Sequence, residues 1–152
     1  MAELRQYSPL KVVGTWVIPI PPGTIDILEG AVSTGDFAVI ETDSDAWTRE
    51  VDLAGNATRV RNYNGGGRIR VTLSASSPTN TKLSAAAAAD AISENVVGAL
   101  VLRDLNGNTI VECDGAFLVD IPDFSFGSER GSRTWTWECA AIRPVLGGHD
   151  LA

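Results

Sequence analysis

The stretch that decides the fold is "RVTLSASSPTNTKLSAAAAADA", residues 70–91. It opens as a strand, with Val71 and Leu73 alternating against Arg70, Thr72 and Ser74, and a few residues later it becomes rich in alanine. Ser77 carries the side-chain oxygen that caps a helix. Pro78 suits the first helical position, where its missing N–H costs nothing and its φ is already set. Alanine has the highest helix propensity, so the spacing predicts one helix over about residues 78–92. Its small side chains make a thin face that can lie close against a sheet.

On both sides of this helix the pattern has period two, with β-branched and aromatic residues on alternate positions and Gly, Asn, Asp or Pro clusters between the runs. Strands are expected at 11–18, 24–29, 37–42, 47–53, 58–62, 68–75, 97–103, 109–119 and 132–142. The fold class is therefore mostly antiparallel β with one packed helix. Asn106-Gly107, between two apolar runs, predicts a hairpin because both residues tolerate positive φ. Ala54, Gly55 and Asn56 predict a second hairpin, spanning about residues 45–66 and expected to project from the body. Its strands carry Arg49, Glu50, Arg59 and Arg61, which are costly in a core but useful at a charged subunit interface, where pairing sets register. In "GSRTWTWECAAI" strict alternation puts Trp135, Trp137 and Cys139 on one face, expected to be core, and Thr134, Thr136 and Glu138 on the other.

A chain of 152 residues is most simply one domain, 1–152, able to bury roughly 68 to 70% of its unfolded surface without a disulfide framework. Its net charge of −7 argues against gripping nucleic acid through phosphate neutralisation. No basic segment followed by an apolar run opens the sequence, and no stretch reaches the length of a membrane span, so a protein made inside the cell and free of membrane is expected. Cys113 and Cys139 lack metal-ligand spacing and are expected as buried free thiols. His149, the one histidine, lies in "LGGHDLA" and is expected in a frayed tail, which leaves no base for a triad. Gly65-Gly66-Gly67 is followed by a strand and no Lys-Ser/Thr, so a flexible hinge is expected instead of a phosphate loop. Glu50 with Asp52, and Asp120 with Asp123, read as solvated carboxylates. Neither a cofactor nor an enzymatic activity is expected.

Three stretches, "SPTNTKLSA", "LVLRDLNGNTIVE" and "FSFGSERGSRTWTWECA", together resemble the tail tube proteins of phages with contractile tails. That family shows a Ser-Pro-x-Asn helix start, an Asp-x-Asn-Gly hairpin, and a final strand of the Gly-[Ser/Lys]-Glu-x-Gly-x-Arg-x-Trp-x-x-x-Cys-Ala kind. The similarity runs in order from about residue 45 to residue 142. The proline-containing "VIPIPPGT" and the glycine triplet depart from it. The resemblance implies a two-sheet β-sandwich or half-barrel whose small-faced helix covers an outer sheet and its edge while the other sheet faces the lumen. It implies hexameric rings that stack into a hollow conduit for genome delivery, placed in the virion tail and assembled in the host cytoplasm. The implied partners are further copies of the chain, the tail sheath, a baseplate or initiator, and a tape measure protein, with DNA passing through unbound. A type VI secretion or tailocin tube, and a monomeric β-sandwich binding module, are the alternative readings.

A tube that conducts DNA should not hold it, so its wall should be rich in Thr, Ser and carboxylates. The expected wall residues are Asp26, Asp52, Thr134, Thr136 and Glu138. Arg49, Glu50, Arg59 and Arg61 are expected to contact the adjacent ring.

Overall fold

The computed structural model describes residues 2–21 and 23–151. After a 3-10 turn at Pro9–Lys11 come β1 (Val12–Val17), β2 (Thr24–Asp26), β3 (Ala38–Thr42), β4 (Trp47–Val51), β5 (Ala57–Arg61) and β6 (Gly67–Ser74). The helix α1 (Thr79–Ser93) is followed by β7 (Gly98–Asp104), β8 (Ile110–Leu118), β9 (Ser132–Cys139) and β10 (Ala141–Val145). The protein is mostly β with one helix, and every strand pairing between these elements is antiparallel.

The strands run β2-β1-β7-β8-β9-β6-β3, with β10 also on β8, while β4 and β5 form a separate two-stranded sheet. One expected strand, 132–142, is broken at Ala140 into β9 and β10. The cause lies on its partner. Gly115 takes φ +61°, and the β7–β8 register shifts between Gly98 and Leu100. An extra residue in one strand bends it and increases its twist. Along β8 the buried positions change phase at this point, from Val111 and Cys113 to Ala116 and Leu118. The sheet thus folds into two halves, β2-β1-β7-β8-β10 and β8-β9-β6-β3, that face each other.

The core lies between the halves. Trp16, Ile25, Leu100 and Leu102 come from one, and Ile69, Val71, Leu73, Trp135 and Trp137 from the other. Trp16 meets Trp137 edge to face, with ring centroids 5.8 Å apart and planes at 77°. Each buried indole N–H needs an acceptor. That of Trp16 donates to the Ala116 carbonyl at 3.3 Å and that of Trp135 to Asn80 Oδ1 at 2.9 Å. Trp137 Nε1 has no partner among the described residues. Cys113 and Cys139 are free and buried. Their shared hydrogen bond, with burial, pushes the Cys113 thiol far up, so it stays protonated.

The helix starts as its sequence dictates. Pro78 already has helical angles, φ −66° and ψ −20°, and Ser77 Oγ accepts the Thr79 amide at 3.3 Å. Ser77 also donates to the Glu29 carbonyl, and Thr79 Oγ1 to the Asp26 carbonyl at 3.0 Å, which ties the helix to the β2 edge. Asn80, buried, donates to the Ser74 carbonyl at 2.9 Å while it accepts from Trp135. Leu83 and Ala86 join the core. The helix therefore covers the expected sheet edge, at β2, but does not lie across an outer sheet face, because its apolar buried face is only one leucine and one alanine wide.

Two expectations about loops are corrected. Neither Asn106 nor Gly107 has positive φ. The hairpin is shaped by Asp104, whose Oδ1 accepts both the Asn106 amide at 2.9 Å and its side-chain N–H at 2.8 Å. Gly107 is required by close approach: a Cβ there would lie 1.9 Å from the Gly148 carbonyl. His149 is likewise held, not frayed. Its Nε2 is 3.3 Å from Asp104 Oδ2, its ring lies 5.0 Å from that of Tyr7, and Arg5 donates to its carbonyl at 3.0 Å. Asn106 further bonds both backbone groups of Ser8, so the chain's two ends are stitched onto the β7–β8 hairpin.

Two measurements test this arrangement. Asn80→Ala strips the Trp135 N–H and the Ser74 carbonyl of their partner, and about 1–3 kcal/mol of stability should be lost in urea denaturation. The second concerns acid. Burial pushes the Asp104 carboxyl up, but the Asn106 hydrogen bonds and His149 outweigh it and leave it below the ordinary value. A lowered folded-state pKa contributes stability that is present above the unfolded value of about 3.9 and lost as pH falls through the folded one. Asp104→Asn should flatten the fall of the urea midpoint as the pH drops below about 4.

Candidate functional site

Three surfaces hold the residues singled out by the sequence. The first is the β4–β5 hairpin. Trp47 pairs with Arg61, Arg49 with Arg59 and Val51 with Ala57, so these six share one face; Thr48, Glu50, Thr58 and Val60 share the other. Every residue of the two strands is exposed except the half-buried Val60. The Arg59 guanidinium stacks on Trp47 at 3.4 Å from the ring centroid, and Arg61 lies 5.1 Å from Trp47 and 5.7 Å from the Tyr63 ring. Arg49, Arg59 and Arg61 are thus together on one side, and Glu50 is on the opposite side.

Asp52 sits at the tip of this hairpin. Its Oδ1 accepts the amides of Asn56 at 2.8 Å and Ala54 at 3.0 Å, and its Oδ2 accepts the Asn56 side chain at 3.1 Å. The Asn56 amide, foremost, holds its carboxyl below the ordinary value. At the other end, Asn62 bonds the Ala46 carbonyl and Ser44 Oγ, and Asn64 Oδ1 accepts the Gly66 amide at 3.1 Å. The glycine triplet is no flexible hinge. Gly66 and Gly67 are buried, and a Cβ on Gly67 would lie 2.3 Å from the Glu41 carbonyl, so small size is what lets β6 pass between β3 and β9.

The second surface is the outer face of the β9-β6-β3 half. Thr134, Thr136 and Glu138 stand opposite Thr72, Arg70 and Arg68. The Arg68–Glu138 ion pair is 2.8 Å long, and Arg70 pairs with Glu41. Glu138, through its hydrogen bond, raises the Arg68 pKa. The two cations of this face are each matched by a carboxylate, and hydroxyls fill the positions between. Trp135, Trp137 and Cys139 point the other way and are buried.

Asp26 lies on a third surface, the outer face of the other half, where β2 pairs with β1. Its Oδ1 accepts the Leu28 amide at 3.1 Å. Asp114 and Glu112 flank Arg143 there, and the Arg143 hydrogen bond holds Asp114 below the ordinary carboxylate value. Asp26, Asp52 and the Thr134 row therefore do not converge on one surface.

Sequence reasoning missed Arg68, Arg70 and Glu41 as one face, although "RIRV" alternates visibly. It read Asp120 and Asp123 as solvated carboxylates and used "FSFGSERG" only as a motif, without singling out the exposed apolar groups of residues 119–131, a stretch with no regular structure that exposes Ile121, Phe124 and Phe126. A cleft of about 800 Å³ opens between the halves, lined largely by apolar groups such as Leu10, Leu28, Phe37 and Leu102, with Asp26, Asp36, Arg103 and Asp104 among its polar ones. Among the described residues no group of three or more His, Cys, Asp or Glu could hold a metal, and no helix is long and apolar enough to cross a membrane.

No protein-family model and no curated protein matches the chain. Solved structures do. The chain is similar, at TM-score 0.61 and 12% identity, to the sheath/tube terminator of an extracellular contractile injection system in its extended state, over 95% of this chain and 100% of that one. A chain of the sheath-tube complex of such a system matches at TM-score 0.59 and 10% identity, over 93% of each. The tube-terminating cap of the anti-feeding prophage matches at TM-score 0.57 and 12% identity, over 97% and 95%. At these identities the likeness is one of fold, and it spans nearly the whole of every chain compared.

The tip geometry makes a local prediction. Asp52→Ala removes the acceptor that closes the turn, worth about 1 kcal/mol per hydrogen bond, so the Ala54 and Asn56 amides should exchange with solvent about fivefold faster or more. The global unfolding midpoint should stay where it is, since neither amide touches the core.

Proposed function

We propose that the chain is a structural subunit of the tube of a contractile-tail particle, in which hexameric rings stack into a hollow conduit. The observation that carries this is the end-to-end fold likeness to tube and terminator chains of contractile injection systems. The physical character of the surface supports it. The β3 edge has no further strand to pair with among the described residues, and the hairpin is exposed on both faces. Unpaired edges are an aggregation liability in a monomer and are hidden when a ring closes. The role is structural, not catalytic.

In this reading the wall of the conduit is the face bearing Thr134, Thr136 and Glu138. Hydroxyls and neutralised arginines give a passing phosphate backbone no free cation to exchange for its counterions. Asp26, with Val13 and Val17 exposed beside it on β1, belongs to the outer side, toward a sheath. The hairpin with Arg49, Glu50, Arg59 and Arg61 meets the next ring. A baseplate or initiator and a tape measure protein complete the expected partners, with the particle assembled in the host cytoplasm and the cargo a genome.

A second reading is favoured by two of the structural neighbours being a terminator and a cap. Here the chain forms the last ring, which closes a tube made of another subunit. Electron microscopy of the purified protein at high concentration separates the readings. Long tubes support the tube subunit, rings that never stack support the terminator, and a strictly monomeric protein overturns both. Where tubes form, Thr134→Lys with Thr136→Lys should leave them intact. Particles carrying these changes should eject DNA more slowly, most of all at low salt, where screening is weakest.

A further inference from the structure

We propose that the arginine face of the β4–β5 hairpin docks on the acidic, phenylalanine-bearing segment at residues 119–129 of a second copy of this chain. The inference rests on the assembly reading above and names the two surfaces that meet in it.

The hairpin is incomplete as it stands. A two-stranded hairpin alone in water is marginally stable at best, and this one pairs with no other strand among the described residues. Arg49 faces Arg59 directly across the ladder, a like-charge pair that works against the hairpin. Among the described residues, Arg49, Arg59 and Arg61 form no ion pair, unlike Arg68, Arg70 and Arg143. Trp47 and Tyr63 hold two of the guanidinium groups against their rings, so a cationic and aromatic surface is already ordered before anything binds.

The segment at 119–129 has the opposite character. It carries Asp120, Asp123 and Glu129, none in an ion pair among the described residues, and no basic residue until Arg130. Val119, Ile121, Phe124 and Phe126 are exposed along it, Phe126 at 87%. The rings of Phe124 and Phe126 stack on each other, edge to face at 5.8 Å. Exposed aromatic pairs rimmed by charge mark interaction surfaces. Within one subunit, among the described residues, no hydrogen bond or ion pair joins the segment to the hairpin.

The two surfaces match in kind, three guanidinium groups with two aromatics against three carboxylates with two aromatics. A contact between two different patches of identical subunits is heterologous, and it propagates as a ring or an open stack instead of stopping at a dimer. It also brings opposite charges together where the net charge of −7 would otherwise make copies repel.

The experiment compares wild type with Arg59→Glu/Arg61→Glu, with Asp120→Lys/Asp123→Lys, and with the four changes combined in one chain. Self-association is followed by sedimentation velocity across a concentration series, and circular dichroism checks that each variant is folded. Each reversal alone should raise the concentration needed for assembly at least tenfold, and the combination should recover most of that loss. A parallel titration uses a fluorescent single-stranded oligonucleotide, since arginines beside aromatics also suit nucleic acid. Reversals that leave wild-type-like assembly, or a combination that fails to recover it, would overturn the docking while leaving the tube reading in place. Loss of oligonucleotide binding by Arg59→Glu/Arg61→Glu without any change in assembly would assign the face to nucleic acid and overturn it too. A wild-type chain that stays monomeric throughout would remove the assembly reading and the docking with it.

Discussion

The bend at Gly115 and Ala140 is the constraint from which the rest of the structure follows. On one side of it β8 pairs with β10 and on the other with β9, so the same strand belongs to both halves of the sandwich. The Ala140 amide donates to the Asp114 carbonyl at 3.0 Å, and Gly115 takes a left-handed conformation that most residues adopt only with strain. Were β8 to run straight, the face holding Val111 and Cys113 would continue through Gly115 and Phe117, and Ala116 and Leu118 would turn to solvent. The phase change instead keeps Val111, Cys113, Ala116 and Leu118 inside and turns Phe117 outward. It also swings Trp137 against Trp16, the contact that joins the two halves at their centre.

Once the halves face each other, one side is left open at β2, and a helix of ordinary bulk would not fit there. The alanine run answers this geometry. Leu83 supplies one large apolar group, Ala86 lets the backbone come close, and Asn80 anchors the helix to the β9-β6 half by bonding Trp135 and the Ser74 carbonyl at the end of β6. Fully burying a leucine is worth roughly 2 kcal/mol, too little to hold a 15-residue helix in place unaided. The bonds from Ser77 and Thr79 to the Glu29 and Asp26 carbonyls supply the rest of the attachment, and they fix direction, which apolar contact does not.

Much of this was legible in the sequence. Period-two alternation marked the strands because most have one buried and one exposed face, and the β4–β5 hairpin, exposed on both, still carries β-branched residues around a clear turn. The Ser77-Pro78 pair marked the helix to within a residue. The break at Ala140 was also written there. In "VECDGAFL" and "WTWECAAI" the apolar phase slips by one, from Cys113 to Ala116 and from Cys139 to Ile142, and a single strand cannot keep both phases inside. What alternation could not reveal is which outer face belongs with which, since Asp26 and Thr134 obey the same pattern on opposite halves. The clasp of His149 on Asp104 and Tyr7 left no local signal, because it joins residues from both ends of the chain and the middle. Gly67 was ambiguous for a similar reason: a glycine needed for close packing and one needed for flexibility look alike until the neighbouring strand is known.

The distribution of charge separates surfaces that composition averages together. On the two outer faces, Arg68, Arg70 and Arg143 each lie against carboxylates of the same subunit, and such exposed pairs contribute little to stability. Their effect is on what the face presents to others, a surface of low net field. On the hairpin, Arg59 and Arg61 are stacked on aromatics instead of paired with acids, so their charge is left available. Segment 119–129 leaves its carboxylates available in the same way. Arg103, exposed on the outer face of the other half, is also without a carboxylate partner among the described residues, so what sets the hairpin apart is that its free arginines are gathered on one face beside Trp47 and Tyr63. In the proposed assembly, long-range repulsion between acidic subunits works against indiscriminate association, while contacts of opposite charge at short range set the register in which copies meet.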